Sequence, residues 1–182
     1  LDEHPYYTME LVEGTELGAL LADGPLPPRH AVAVAADIAR AAAAAHEHGV
    51  IHRDLKPRNV IVDPTGRPRV LDFGIAFNAE AGADRYEGQL AGSPGYMAPE
   101  QVLGLPVCPR TDVFAIGVIL FEMLTGERPF RGHGTQALLE TMGSSVAPLP
   151  SSKNPAVHPD LDTVVARCLA KEKDDRFPSA RA

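Results

Sequence analysis

The segment from Thr111 to Leu124, TDVFAIGVILFEML, is apolar nearly all round, with an unbroken run from Val113 to Phe121. A helix without a polar face must be enclosed by other elements, because each large aliphatic or aromatic side chain left in water forfeits about 1.5–3 kcal/mol. The segment is therefore expected as a central core helix, stopped by Gly126 and Pro129, with the rest of the chain packed round it. It is too short to cross a bilayer, which takes about 20 apolar residues. The longer alanine-rich stretch, Ala31 to Ala45, carries Asp37 and Arg40.

The flanking sequence supplies the packing elements. Glu10 to Val12 reads as a strand entering an extended hinge, and Thr15 to Ala22 as a short helix ended by Gly24-Pro25. Strong helix formers from Arg29 to His48 predict a long helix with Gly49 as its C-cap. Val50-Ile51, Val60-Ile61-Val62 and Arg69-Val70-Leu71 are short β-branched runs, and Asp63-Pro64-Thr65-Gly66 is turn chemistry. Ile75 to Met97 has no period. Further helices are expected over Thr135–Met142 and Asp160–Ala170, the latter with Leu161, Val164, Val165 and Leu169 on one stripe, and a last one beginning at Pro178. Ser144 to Pro159 reads as a proline- and serine-rich loop. The class is α+β, mainly helical with short β-hairpins, in one domain over the 182 residues and without repeats.

The formal net charge of -7 argues against nucleic acid or an anionic membrane as partner. Cys108 and Cys168, two cysteines without paired spacing, read as reduced thiols in the cytoplasm, and Leu1-Asp2-Glu3 begins no signal peptide.

The chemistry concentrates in His52-Arg53-Asp54-Leu55-Lys56-Pro57-Arg58-Asn59, followed 13 residues after Asn59 by Asp72-Phe73-Gly74. This places a candidate base, Asp54, and a cation, Lys56, beside two oxygen ligands for a hard divalent ion, Asn59 and Asp72. Phosphoryl transfer requires those parts: metal and cation to neutralise charge, and a carboxylate to orient the attacking hydroxyl. Gly74 lets the backbone turn after Phe73. His46, His48 and His52 form a local histidine cluster, but residues two apart on a helix do not face one another, so no metal site is expected there.

The segment resembles the catalytic loop of Hanks-type (eukaryotic-like) protein kinases, and Lys56 resembles the serine/threonine branch. Ala98-Pro99-Glu100, Asp112 and Arg176 follow in the family's order. The resemblance runs from Tyr6 to Phe177 and implies the large, mainly helical C-terminal lobe of the kinase fold, with ATP and Mg²⁺ as cofactors and protein substrates. It implies Asn59 and Asp72 as metal ligands and Lys56 near the γ-phosphate. Met9 matches the gatekeeper; Glu10 and Val12 would meet the adenine edge and Glu16 the ribose, with Ile61 beneath the base and Leu71 just before Asp72. His52 would stack on Phe73. Glu100 and Arg176 would form a buried ion pair, and Asp112 would brace the catalytic loop by accepting backbone hydrogen bonds.

The pattern also departs from the family. No Gly-x-Gly-x-x-Gly loop or Val-Ala-x-Lys strand is present, and Tyr6 to Gly14 resembles the hinge between lobes. Residues 1–182 therefore read as a partial kinase domain whose small lobe, and any membrane anchor, lie outside the sequence; alone it is expected to be inactive. Arg53 resembles the arginine that pairs with a phosphorylated activation-loop residue, yet no Ser or Thr lies between Gly74 and Gly92. Either Arg53 pairs with Glu80, Asp84 or Glu87, or loop phosphorylation is not the switch. Ser93 stands where such kinases usually carry threonine, with a hydroxyl placed to bond Asp54 and Lys56. Arg58 stands where some basophilic relatives carry glutamate, so no basic preference is expected at that subsite. A pseudokinase-like binding module and a small-molecule phosphotransferase are the competing classes. Retention of Asp54, Lys56, Asn59 and Asp72 speaks against the first, and Ala98-Pro99-Glu100 with Asp112 and Arg176 against the second.

Overall fold

In the computed structural model, which describes residues 10–73, 94–130, 143 and 146–182, the apolar segment forms helix α4 (Pro109–Thr125) at the centre. Of its 17 residues 13 are buried, so no face is left for solvent. Pro109 occupies its first turn, and the Thr111 hydroxyl accepts the Cys108 N–H at 3.1 Å. Before it come β1 (Thr15–Glu16), α1 (Leu17–Ala22), α2 (Pro28–Glu47), β2 (Val60–Val62), β3 (Pro68–Val70) and α3 (Pro99–Val102). After it come α5 (Pro150–Lys153) and α6 (Asp160–Cys168), with 3₁₀ turns at Pro57–Asn59, Pro94–Tyr96 and Lys173–Asp175.

Helix α2 packs along α4 through Ala31, Val34, Ala35, Ile38 and Ala42, all buried. Alanines on this face let the two backbones approach. Helix α2 ends as its sequence requires. Gly49 at φ +75° turns the chain, its N–H bonds the His46 carbonyl, and the Val50 N–H reaches back to Ala45 O at 3.0 Å. This is the paired 5→2 and 6→1 closure that glycine favours. Helix α6 crosses α4 at Gly117, where an added Cβ would lie 2.5 Å from Cys168 Cβ.

The sheet is three-stranded and antiparallel in the order β1-β2-β3. Thr15 and Glu16, expected as the start of a helix, instead pair with Val62 and Ile61. Val50-Ile51 is not a strand, because the Val50 N–H is already used to close α2 and the edge of β2 is taken by β1. The Asp63–Gly66 turn links β2 and β3, with the Asp63 carboxylate accepting the Thr65 and Arg67 N–H groups at 2.8 and 3.1 Å.

Four other expectations change. Glu10 to Val12, expected as a strand, forms none; among the described residues the first strand is β1. The loop from Ser144 to Pro159 contains α5, nucleated by Pro150 in its first turn. On α6 the expected Leu161 and Val165, and Leu169 at its C-cap, pack against the core together with Cys168, but Val164 is 37% exposed, since α4 reaches only one side of so short a helix. No helix starts at Pro178: residues 178–182 make bends and one turn, closed by Ala182 N–H to Ser179 O at 3.3 Å. The expected helix over Thr135–Met142, most of Ile75–Met97, and Met9, Gly74 and Ser93 lie outside the described residues. Among the described residues no helix is long and apolar enough to cross a membrane.

Candidate active site

The loop bearing Asp54 hangs from one buried carboxylate. Asp112, 1% exposed in the first turn of α4, accepts the His52 N–H on Oδ2 and the Arg53 N–H on Oδ1, both at 2.9 Å. His46 Nε2, from α2, donates to Oδ2 at 2.7 Å. The positive end of α4 adds to the three donors in holding this charge away from water. Arg53 sits at φ +69°, unusual for a residue with a Cβ, and its carbonyl accepts Gln101 Nε2 at 2.6 Å. The strained turn is thus clamped from α4 and from α3. Asp112→Ala leaves two backbone N–H groups without their acceptor, at about 1–3 kcal/mol each where they stay buried. Faster amide exchange at His52 and Arg53, with α2 unchanged, is the expected readout.

Asp54, Lys56 and Asn59 converge. Lys56 Nζ donates to Asp54 Oδ2 at 2.6 Å, and Asn59 Nδ2 reaches the same oxygen at 3.4 Å while bonding the Asp54 carbonyl at 2.9 Å. Asn59 is buried in the 3₁₀ turn that leads into β2, whereas Asp54 and Lys56 are half-buried. With its amide nitrogen committed to Asp54, Asn59 has its carbonyl oxygen to offer a cation.

The strand after the β2–β3 turn brings Asp72 beside this loop. Leu71 N–H bonds Asn59 O at 2.8 Å, and His52 Nε2 donates to Leu71 O at 2.8 Å. His52 also packs its ring 4.8 Å from that of Phe73, at 54°. Asp72 lies between these two anchored residues, exposed and at φ +60°. A carboxylate and an amide oxygen are the hard donors that Mg²⁺ takes alongside phosphate oxygens and water, so the residues present fit that ion.

Glu16 and Ile61 are partners in the β1–β2 register, and Glu16 lies 4.0 Å from Arg58. Ile61, Leu71 and Val12 are half-buried, and Glu10 is exposed.

Below the site, Arg176 is the largest fully buried side chain. Its two terminal nitrogens grip Glu100 Oε1 and Oε2 at 2.8 and 2.9 Å; its remaining donors reach Ala170 O, Arg110 O and Lys171 O. All five guanidinium donors are used. Phe114 lies under the guanidinium at 5.0 Å, and the Thr111 hydroxyl donates to Glu100 Oε1 at 2.8 Å. Burial pushes the Glu100 carboxyl up, but the Arg176 hydrogen bonds and charge outweigh it and hold the group below its ordinary 4.5.

Some partners had not been foreseen: His46 on Asp112, Gln101 on Arg53 O, Thr111 on Glu100, and Tyr96 OH on Glu122 Oε2 at 2.6 Å. One signal was available, since an acid such as Glu122 in an otherwise apolar helix needs a donor. His46 and His48 point to different partners, Asp112 and Ala44 O.

A helical lobe with a small sheet, a carboxylate–lysine–asparagine loop and a tethered Asp-Phe segment defines a class. The protein kinase domain family matches residues 2–182, and the chain belongs to that family. It is 39% identical over 180 residues to the serine/threonine-protein kinase PknB of Mycolicibacterium smegmatis, covering 97% of this chain and 29% of that protein. It is 42% identical over 183 residues to the serine/threonine-protein kinase Pkn1 of Myxococcus xanthus, 98% of this chain and 26% of that one. The serine/threonine-protein kinase PknL of Mycobacterium tuberculosis is 36% identical over 180 residues, 98% of this chain and 45% of that protein. The chain thus spans less than half the length of these curated relatives.

Proposed function

We propose that the protein carrying this chain transfers the γ-phosphoryl group of ATP to serine or threonine hydroxyls of protein substrates. The observation that carries the reading is the convergence of Lys56 and Asn59 on Asp54 Oδ2, at 2.6 and 3.4 Å. The Asp54 carboxylate orients the substrate hydroxyl and takes its proton as the oxygen bonds to phosphorus and ADP departs. Lys56 turns from Asp54 towards the transferring group and offsets its charge. Asn59 and Asp72 hold Mg²⁺, which when bound neutralises the phosphate charge. Ile61 forms the floor under the base and Leu71 stands just before Asp72, with Glu10 and Val12 meeting the adenine edge, Glu16 the ribose, and Met9 matching the gatekeeper. Arg53, Phe73, Gly74 and Ser93 set the activation segment.

We read residues 1–182 as the hinge and large lobe of the catalytic domain, acting in the cytoplasm on proteins and not on nucleic acid. The membership of the serine/threonine kinase relatives and the net charge of -7 support this. Label transfer from γ-labelled ATP to a protein substrate by the product of the complete gene, stopped by chelating Mg²⁺, is the expected result. Absence of transfer at saturating ATP and Mg²⁺ overturns the reading.

A further inference from the structure

A cavity of about 550 Å³ opens beside the catalytic loop, lined among others by Glu16, Lys56, Arg58, Tyr96, Glu122 and Arg128. Its charges are unevenly committed. Lys56 is held by Asp54. Glu122 takes the Tyr96 hydroxyl on Oε2, which occupies one of its two oxygens, and burial pushes its carboxyl up. Glu16 and Arg58 lie 4.0 Å apart with side chains 45% and 82% exposed, a loose surface pair contributing little. Arg128 is exposed and, among the described residues, is met only by the Tyr96 ring at 5.9 Å, the field of Glu122 and the Gly95 backbone. A Cβ at Gly95 would lie 1.8 Å from an Arg128 terminal nitrogen, so the absence of a side chain there is what admits the guanidinium.

Two guanidinium groups from separate segments, the 3₁₀ turn Pro57–Asn59 and the loop after α4, therefore border one cavity next to Lys56 with donors to spare. A cationic side chain entering would meet Arg58 and Arg128. A carboxylate or phosphate would meet charge-assisted donors suited to planar, bidentate contact. We propose that this cavity selects substrates carrying an anionic side chain, aspartate, glutamate or a phosphorylated residue, near the acceptor hydroxyl, with Arg58 and Arg128 as the specificity-determining residues. The proposal rests on the kinase reading above.

The test uses the product of the complete gene and serine peptides in which aspartate, phosphoserine, alanine or arginine is scanned on both sides of the acceptor. At one position kcat/KM is expected to favour the anionic peptides over alanine by about five- to tenfold at low salt, less at high salt. Phosphoserine exceeding aspartate identifies a pre-phosphorylated substrate; equality identifies an acidic one. Arg128→Glu, a surface change checked by an unaltered melt, is expected to invert the order towards arginine. Gly95→Ala is expected to lower the preference by displacing Arg128 without removing a charge. Equal rates for all peptides, or preference for arginine by the unmodified protein, overturn this inference and leave the kinase reading standing. No incorporation above an Asp54→Asn control overturns both.

Discussion

Asp54→Asn is expected to lower the rate of phosphoryl transfer by about 10²–10⁴-fold, the range over which a positioned general base acts. The substitution is nearly isosteric, and its carbonyl oxygen still accepts from Lys56 Nζ and Asn59 Nδ2, which now bond Asp54 at 2.6 and 3.4 Å. The loop should keep its shape, since Asp112 holds it through the backbone of His52 and Arg53 and not through the side chain of Asp54. What disappears is the capacity to accept a proton. The check is single-turnover transfer alongside ATP affinity: the first collapses while the second changes by less than about tenfold, or 1.4 kcal/mol. Activity within a few-fold of the unmodified protein would mean that another group receives the proton.

Arg176→Ala carries the largest expected effect on stability. It leaves the Glu100 carboxylate, 6% exposed, without its cation, and strips donors from Ala170 O, Lys171 O and Arg110 O. Breaking one partner of such a buried pair costs about 3–5 kcal/mol. At about 2–4 °C per kcal/mol for a domain of this size, the melting temperature should fall by about 10 °C. Because the penalty is an uncompensated charge, adding Glu100→Leu to Arg176→Met should recover much of the loss; a double variant as unstable as the sum of its parts would contradict this. The pH dependence follows from the depressed Glu100 carboxyl. Its contribution is fully present above the ordinary value of 4.5 and fades as pH falls through the lower folded-state value. In Arg176→Ala burial pushes the carboxyl up instead, so the deficit against the unmodified protein should narrow on acidification. Urea melts between neutral pH and the acid range measure both curves.

The reach of sequence reasoning differs between the two kinds of element. The α4 helix was legible because a continuous apolar run has one stable solution, enclosure by the rest of the chain. The C-terminus of α2 was legible for an equally local reason: Gly49 alone nearby takes φ +75° without strain, and it does. Short strands were legible only in part: Val60–Val62 and the run at Arg69-Val70 pair as their β-branched residues suggest. Thr15–Glu16 and Val50-Ile51 have similar local claims to either state, and the choice fell to whichever could reach the free edge of β2. Val50 had its N–H already bonded to Ala45 O. Likewise Val164 fits the apolar stripe of α6 by spacing, yet remains 37% exposed.

For the candidate site the division is sharper. The residue types at 54, 56, 59 and 72 and their spacing came from the chain alone, because the chemistry of carboxylate, ammonium and amide is a property of each side chain. Which groups hold them did not. His46, Gln101 and Thr111 act through partners 66, 48 and 11 residues away in sequence. No local period encodes such distances. They arise only when α2, α3 and α4 pack, and a buried carboxylate such as Asp112 or Glu100 then has to find every donor that the fold brings within reach.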